Sequence, residues 1–302
     1  MPIGLLAGLG AAICWGTLDL FSALASRRIG SLWVTTGMQL VGAALVWAAA
    51  LLTGTGFSSD PFVIVGSTLV GLVGAAAYLS YFTGLRIGPI AVVSGMVSAY
   101  GGLTVVLAVL IRGESLTAVQ AAGAIVATVG VVLTGTSFDQ GWRSTRFASR
   151  GVAFAVVALV LFATMAIVTD IVVDRAPWPE VVLLSRTANA LISTLTLVLA
   201  FTVFRRIAAP MIDGADGDPG TGRADARVIW FVVLAGALDV VGLASFAYGL
   251  EHAETWLVGL ASSFGPAVTI VVAVAVLGER LRPVQWVGLG GILVGMVAIG
   301  VP

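Results

Sequence analysis

Three charged residues lie inside long apolar stretches of the sequence, where charges are rare. Asp239 stands at the midpoint of one stretch, Asp19 lies in the inner part of another, and Arg186 is five residues inside a third. A charge at the centre of a membrane helix costs about 2.5–3.5 kcal/mol, so such residues usually face the protein interior or a water-filled cavity. The two carboxylates could carry protons or bind a cation, or they could only accept hydrogen bonds from neighbouring helices.

The residues around Asp19 follow a helical spacing. Trp15, Asp19, Ser22 and Ser26 are separated by four, three and four positions, which places them on one face of a helix. This stripe predicts that Trp15 and Asp19 face the same cavity or the same neighbouring helix.

Arg186 and Asp239 each allow two interpretations. Arg186 shares its helical face with Asn189 and is a candidate anion contact, or its long side chain could extend to the membrane surface towards Glu180 or Asp174. Asp239 lies among small residues that favour close backbone packing. If Asp239 acts in transport, Asp239→Asn should abolish transport or its pH dependence and leave the protein folded.

Four further residues are candidates for a cavity wall because they are polar or aromatic in otherwise apolar stretches. They are Gln39, Tyr78, Ser98 and Ser263. The alternative for the serines is hydrogen bonding between helices, which is worth on average about 0.6 kcal/mol in one membrane protein.

The elements that must position these residues are membrane helices. The chain has 302 residues, of which 59% are hydrophobic and only 10% are charged, against about 25% charged in soluble domains. A bilayer core needs roughly 20 apolar residues per helix. Ten apolar runs satisfy this: 3–26, 32–54, 62–85, 90–111, 118–136, 151–173, 181–204, 228–250, 256–277 and 284–301. The sequence therefore predicts an all-α integral membrane protein in a lipid bilayer.

An internal repeat divides the chain into two halves. Residues 71–130 align with 236–295 at a constant offset of 165, with 18 identities in 60 positions. Each half contains five runs, an odd number, so the second half must enter the membrane from the opposite side. Two inverted five-helix repeats are typical of secondary transporters, with the substrate site between the halves. Duplication that only built a stable helical bundle is the alternative.

A motif closes the fourth and ninth runs. "RGESLTAVQAAG" from Arg112 reappears as "LGERLRPVQWVG" from Leu277. Its carboxylates, Glu114 and Glu279, are expected to cap or orient the starts of the fifth and tenth runs, because a carboxylate is favourable near a helix N-terminus. Gly291 and Gly295 form a GxxxG pattern in the tenth run, which predicts close packing against the fifth.

The placement of arginines predicts the orientation. The chain contains no lysine, and the loops after the odd-numbered runs hold twelve arginines, whereas the other side holds two. Cytoplasmic loops are enriched in basic residues, so both termini are expected outside the cytoplasm. The arginine-only usage favours a bacterial plasma (inner) membrane. The loop that starts at Arg205 is interpreted as a flexible cytoplasmic linker.

The motif at Gly113 and Gly278, the "CWG" at 14–16 and the ten runs in two halves resemble the EamA family of the drug/metabolite transporter superfamily. The resemblance implies residues 1–136 as a first repeat, 137–150 as a cytoplasmic linker and 151–302 as a second repeat. It implies a cavity lined by runs one to four and six to nine, with runs five and ten packed together. Family members usually carry a proline midway along both the fourth and ninth runs. Here Pro266 fits, but its counterpart is Gly101. Termini in the family are more often cytoplasmic.

The sequence favours a secondary active transporter, often an exporter in the family, of small polar metabolites or amino acids by alternating access, with proton coupling open. A cavity with both charge signs would suit a zwitterion. The alternatives are a membrane scaffold or an enzyme acting on a lipid-linked substrate. No enzyme activity, cofactor, nucleic acid partner or metal site is expected, because no phosphate loop occurs and His252 is the sole histidine. A monomer suffices for two fused halves, and a dimer is allowed.

Overall fold

The computed structural model describes residues 2–88, 90–135, 145–212, 225–265, 267–268 and 283–299. Glu279 and Pro266 lie outside these ranges, as does most of the expected linker at 137–150. The described end of that linker, from residue 145, already belongs to a helix.

All regular secondary structure in the described part of the chain is helical. Its helices are α1 (Pro2–Ile29), α2 (Ser31–Thr53), α3 (Pro61–Ile87), α4 (Ile90–Ser98), α5 (Tyr100–Leu107), α6 (Ala118–Gly135), α7 (Thr145–Val173), α8 (Trp178–Thr202), α9 (Arg205–Ile212), α10 (Ala226–His252), α11 (Thr255–Ser262) and α12 (Pro283–Ile299). Seven stretches are long and apolar enough to cross a membrane, and α6 and α12 contain shorter apolar segments. The ninth run is only partly described, so ten crossings stay a prediction.

The contacts between helices of the two repeats are symmetric. Each contact made by a helix of the first repeat has a counterpart made by the equivalent helix of the second repeat. The first run contacts the eighth (α1 with α10), and the sixth contacts the third (α7 with α3). The second and seventh runs contact each other (α2 with α8), as do the fifth and tenth (α6 with α12). This is the pattern expected of two structural repeats related by a pseudo-two-fold axis.

The contact between α6 and α12 is built on glycines, as the GxxxG pattern predicted. A Cβ atom on Gly130 would lie 2.7 Å from the carbonyl oxygen of Gly288 and 2.7 Å from the amide nitrogen of Ile292. A Cβ on Gly295 would lie 2.6 Å from the carbonyl oxygen of Gly123. Backbone therefore packs directly on backbone, which confirms the expected pairing of the fifth and tenth runs.

The fourth run is not one continuous helix. It breaks at Ala99, where the amide of Ala99 donates to the carbonyl of Met96 at 3.1 Å, a bond over three residues. The ninth run breaks at the equivalent place, because Phe264 donates to Ala261 at 3.4 Å, also over three residues. The offset of 165 relates both members of these two bonds, so each repeat carries the same interruption. The expected fourth span is therefore an interrupted helix, although Val93–Arg112 is long and apolar enough to cross a membrane.

A further irregularity ends the fourth run. After α5 the chain forms a π-helical turn, Ala108–Arg112, and Gly113 closes it with φ of +68°, a conformation that favours glycine. Single π turns in α-helices are frequent at functional sites. The turn directs Arg112 and the following Glu114 towards the second repeat.

The loop that starts at Arg205 begins with a helix, α9, which the sequence analysis missed. Ala208 and Ile212 of α9 are buried against Leu32 of α2. Gly30, with φ of +90°, lies so close that a Cβ atom there would be 2.4 Å from the carbonyl oxygen of Ile212. The interpretation of a flexible linker was therefore wrong for this segment. Residues 213–224 lie outside the described ranges.

We expect Gly130→Ala to lower the free energy of unfolding by about 1–3 kcal/mol, because its methyl group would overlap backbone atoms of α12. Gly290→Ala on α12 is the matched control, since nothing lies within 4 Å of a Cβ there. Thermal unfolding of the purified protein in detergent measures both. Equal stability of the two variants would contradict the tight packing of α6 on α12.

Candidate functional site

A cavity of about 60 Å³ lies where the two broken helices meet α1, α3, α7 and α10. Six aromatic side chains contribute to its wall: Trp15, Tyr78, Tyr81, Tyr100, Phe162 and Phe246. Its polar residues are Asp19, Ser98, Ser262 and Ser263. The void holds only a few water molecules, so a metabolite would require the walls to separate.

Asp239 forms a buried ion pair beside this cavity. Its Oδ2 lies 2.5 Å from a guanidinium nitrogen of Arg186, and these side chains are 0% and 2% exposed, respectively. Its Oδ1 accepts from the Tyr78 hydroxyl at 2.5 Å and from the indole nitrogen of Trp15 at 3.2 Å. Arg186 also donates to the amide oxygen of Gln39. Side chains from α1, α3 and α8 therefore meet at the carboxylate on α10, and α2 joins them through the bond of Gln39 to Arg186.

The ion pair decides between the interpretations of Arg186. Its side chain is buried and pairs with Asp239. The interpretation that it extends to the membrane surface towards Glu180 or Asp174 was therefore wrong. Removing one partner of a buried pair leaves the other charge uncompensated. The expectation that Asp239→Asn keeps the fold unchanged is revised for this reason.

Asp19 has a different environment. Its Oδ2 accepts from the Tyr81 hydroxyl at 2.7 Å and from the Ser94 hydroxyl at 3.4 Å. Within the described ranges, no arginine forms an ion pair with Asp19. The two candidate carboxylates thus separate into a paired one, Asp239, and an unpaired one that lines the cavity.

The serines at the helix breaks hold the irregular backbone. Ser98 donates to the carbonyl of Ser94 at 2.9 Å, and Ser263 donates to the carbonyl of Leu260 at 2.7 Å. Gly101 lets α5 cross against this point, because a Cβ there would lie 2.2 Å from the Ser263 hydroxyl oxygen. Both serines face the cavity, as expected, but their hydroxyl protons are already donated.

Asn189 lies away from the main cavity. It lines a smaller pocket with Arg186 and Tyr78, and its side-chain oxygen accepts from Ser193 at 3.1 Å. Tyr78 and Met165 contribute to both pockets, so the smaller pocket adjoins the main cavity.

Charged residues close the end of the molecule where α7 ends and α11 begins. Arg112, in the π turn, lies 2.5 Å from a carboxylate oxygen of Asp170 and pairs with Asp174. These bonds join the fourth run to the sixth, one from each repeat. Asp170 was not predicted from the sequence, because it stands near the end of its run, where a charge is a weak signal of function.

Glu114 acts at the same end, but on a different helix from the one expected. Its carboxylate accepts from the backbone amides of Thr255 and Trp256 at 2.9 and 3.0 Å. It therefore caps α11, in the other repeat, where the positive end of the helix dipole favours an anion. The expectation that it caps the fifth run was wrong. That run is capped by Thr117 and Gln120, which bond reciprocally at 3.3 and 2.9 Å.

Several expected cavity residues were found, and others were missed. Ser94, which donates to Asp19, was missed although it carried a weak signal, since it precedes Ser98 by one helical turn. Tyr100 and Phe162 gave none beyond their aromatic type. Among the described residues, no group of His, Cys, Asp and Glu could hold a metal ion.

A chain of apolar helices in two repeats, with helices broken at equivalent positions beside a central cavity, defines a multi-pass membrane protein of an architecture typical of secondary transporters. The model of the EamA-like transporter family matches residues 2–136 and 149–301, and the chain belongs to that family. Members of this family are transporters of the drug/metabolite type and not enzymes.

Two comparisons give more limited information. An uncharacterized protein of Methanocaldococcus jannaschii is 26% identical over 77 residues, which are 26% of this chain and 56% of that relative. The match thus spans little more than half of the relative's length. A solved crystal structure superposes with a TM-score of 0.76 at 20% identity, over 98% of this chain and 96% of its own. This similarity shows the fold.

We expect Asp239→Asn to lower the free energy of unfolding by roughly 3–5 kcal/mol, because it leaves the Arg186 guanidinium buried without a counter-charge. The double variant Arg186→Gln with Asp239→Asn should regain most of the loss, since neither charge remains. Asp225→Asn, at an exposed carboxylate, is the control. Thermal unfolding measures all three. A single variant as stable as the double variant would contradict the importance of the pair.

Proposed function

We propose that the protein is a secondary transporter that moves a small organic metabolite by alternating access through the central cavity. The observation that supports this most directly is the equivalent interruption of the fourth and ninth runs beside the cavity. Discontinuous helices at the interface of two repeats are the usual place for substrate and coupling ions in transporters. The family likewise consists of transporters.

The interrupted helices provide the movement that the cavity requires. A helix with a break bends there at lower cost than a regular helix, because its hydrogen bonds are already rearranged. The close crossing of Gly101 and Ser263 places one break against the other. In the proposed cycle, α4 and α5 change their angle while the cavity enlarges to admit the metabolite.

The two carboxylates have different proposed roles. Asp239 is held by Arg186, Tyr78 and Trp15, and its proposed role is to position the cavity wall. Asp19 is the carboxylate that can take up a proton or a cation during the cycle, because no described arginine neutralises it. We therefore assign coupling to Asp19 and not to both residues.

The ion pairs of Arg112 are the proposed gate at one end of the cavity. They join the end of the fourth run to α7, while Glu114 joins the same segment to α11. Opening this end requires that Arg112 separates from the two aspartates. The preceding π turn is the segment whose backbone would rearrange.

The cellular setting is also a proposal. The arginine count favours a bacterial plasma membrane with the gate of Arg112 on the extracytoplasmic side, and the family resemblance favours export. One copy holds both repeats, so a monomer is sufficient for the proposed cycle.

We expect Asp19→Asn to abolish pH-dependent transport, because an amide cannot exchange a proton or neutralise a cation. Proteoliposomes are loaded with a defined mixture of amines, amino acids and carboxylates, and efflux is followed by mass spectrometry under imposed pH gradients. Wild type and the control Asp225→Asn should release at least one component in a gradient-dependent manner. Undiminished gradient dependence in Asp19→Asn would remove this residue from the coupling step. The proposal of transport itself fails if wild-type and protein-free vesicles release all components equally.

The reporter of cavity access is the substitution Ser98→Cys, made together with Cys14→Ala so that a maleimide labels the cavity position alone. We expect Arg112→Gln to increase the rate of this labelling. Loss of a half-buried ion pair worth ~1 kcal/mol corresponds to about a fivefold change in the open population. The control is Arg175→Gln, an exposed arginine at the same end whose guanidinium lies over the ring of Phe62. Equal labelling of both variants would exclude the gate.

A further inference from the structure

Among the described residues of the cavity wall, Asp19 alone has a side chain that ionises readily near neutral pH, and its ionised form is negative. Both hydrogen bonds to Asp19 are made to Oδ2, and no described residue donates to Oδ1. The residue is 8% exposed and lines the void. Burying an ionised carboxylate costs free energy unless a positive group lies next to it.

The neighbouring positive charge does not line the main cavity. One guanidinium nitrogen of Arg186 donates to both Asp239 and Gln39, its Nε has no hydrogen-bond partner among the described residues, and the side chain contributes to the smaller pocket instead. A ligand carboxylate in the main cavity would meet no arginine among the described wall residues. The view that both charge signs are available to a zwitterion is therefore not supported by the geometry.

The serine hydroxyls offer little to an anion either. Ser98 and Ser263 donate to backbone carbonyls of their own helices, and Ser262 bonds with the Tyr100 hydroxyl at 2.7 Å. The wall thus presents acceptors and ring faces, and its donors are already used.

Aromatic rings form the rest of the wall. Phe162 lies among three tyrosines, with ring centroids 5.2 Å from Tyr78, 6.1 Å from Tyr81 and 6.0 Å from Tyr100. Trp15 closes another side with its ring centroid 5.5 Å from that of Phe246. The faces of such rings attract cations, and aromatic cages are used to bind organic ammonium groups.

We propose that the ligand of the cavity is an organic ammonium ion with an apolar body, bound through Asp19 and the aromatic wall. The ammonium group lies against the free Oδ1 of Asp19, and the apolar body packs on Phe162 and the tyrosines around it. This inference rests on the proposed transport function for its biological meaning, but ligand binding can be tested without transport.

The test uses three probes that share a phenylethyl skeleton and differ in charge: phenethylammonium, phenylalanine and 3-phenylpropionate. Calorimetric titration of the purified full-length protein at pH 7 measures each dissociation constant. Phenethylammonium is expected to bind at least about tenfold more tightly than 3-phenylpropionate, because only the former complements Asp19. Phenylalanine should bind more weakly than phenethylammonium, since its carboxylate finds no partner.

Two variants assign the binding to this cavity. Asp19→Asn should weaken phenethylammonium binding by roughly tenfold or more and leave 3-phenylpropionate unaffected. Phe162→Leu keeps the carboxylate and removes a ring face, so a two- to fivefold loss, about 0.5–1 kcal/mol, is expected for the cation. If Asp19→Asn does not fold, the affinities of the three probes for wild type and for Phe162→Leu still test the proposed ligand class. Asp225→Asn should behave as wild type.

Three results would overturn the inference. They are failure of phenethylammonium to bind, binding of the zwitterion or the anion as tight as that of the cation, and unchanged cation affinity in both cavity variants.

The vesicle assay keeps this failure separate from failure of the proposed function. Efflux of only zwitterions or anions would leave transport standing and remove the ammonium ligand. Binding of phenethylammonium without efflux of any component would leave the ligand class standing and remove transport.

Discussion

The burial of charge in an apolar environment is the constraint on which this structure depends. The protein treats its two deep carboxylates differently. Asp239 is neutralised by Arg186 and hydrogen-bonded by Tyr78 and Trp15, so it joins helices from both repeats without needing a ligand. Asp19 receives only hydroxyl donors and faces the void. The free-energy cost of desolvating a charge must be compensated by nearby groups. Arg186 compensates Asp239 in the unloaded protein, whereas the cost at Asp19 can be offset by a bound ligand or a proton.

The duplicated sequence explains why an interrupted helix from each repeat lies beside these charges. Each repeat contributes one helix that is interrupted at the same hydrogen bond, at Ala99 and at Phe264. The regular contact of α6 with α12, made by glycine on glycine, lies away from the cavity and provides a rigid part. In the proposed cycle, this closely packed pair together with two interrupted helices would allow the walls to move without unfolding, since the interrupted segments need not lose regular hydrogen bonds.

Much of this arrangement could be predicted from the sequence, because bilayer burial leaves strong local signals. Apolar runs, the 165-residue offset and the spacing of Trp15 and Asp19 carry such signals, and the structure agrees with them. Partners that are distant in sequence carry none. The pairing of Arg186 with Asp239 and the capping of α11 by Glu114 depend on how the repeats dock. The helix α9 was missed because its first residues are basic and its loop is rich in glycine and aspartate.

The position of Glu114 links the gate to the cavity. Its carboxylate holds the first amides of α11, and eight residues later the same helix reaches Ser263 at the break. Arg112, two residues before Glu114, is tied to α7. In the proposed cycle, movement of this short segment would change the contacts of α11 and α7 together, and the π turn would absorb the backbone change. Because Phe162 of α7 and Ser262 of α11 both line the cavity, a rearrangement at the gate would alter the space next to Asp19 directly. Access and binding are then consequences of one movement, as alternating access requires.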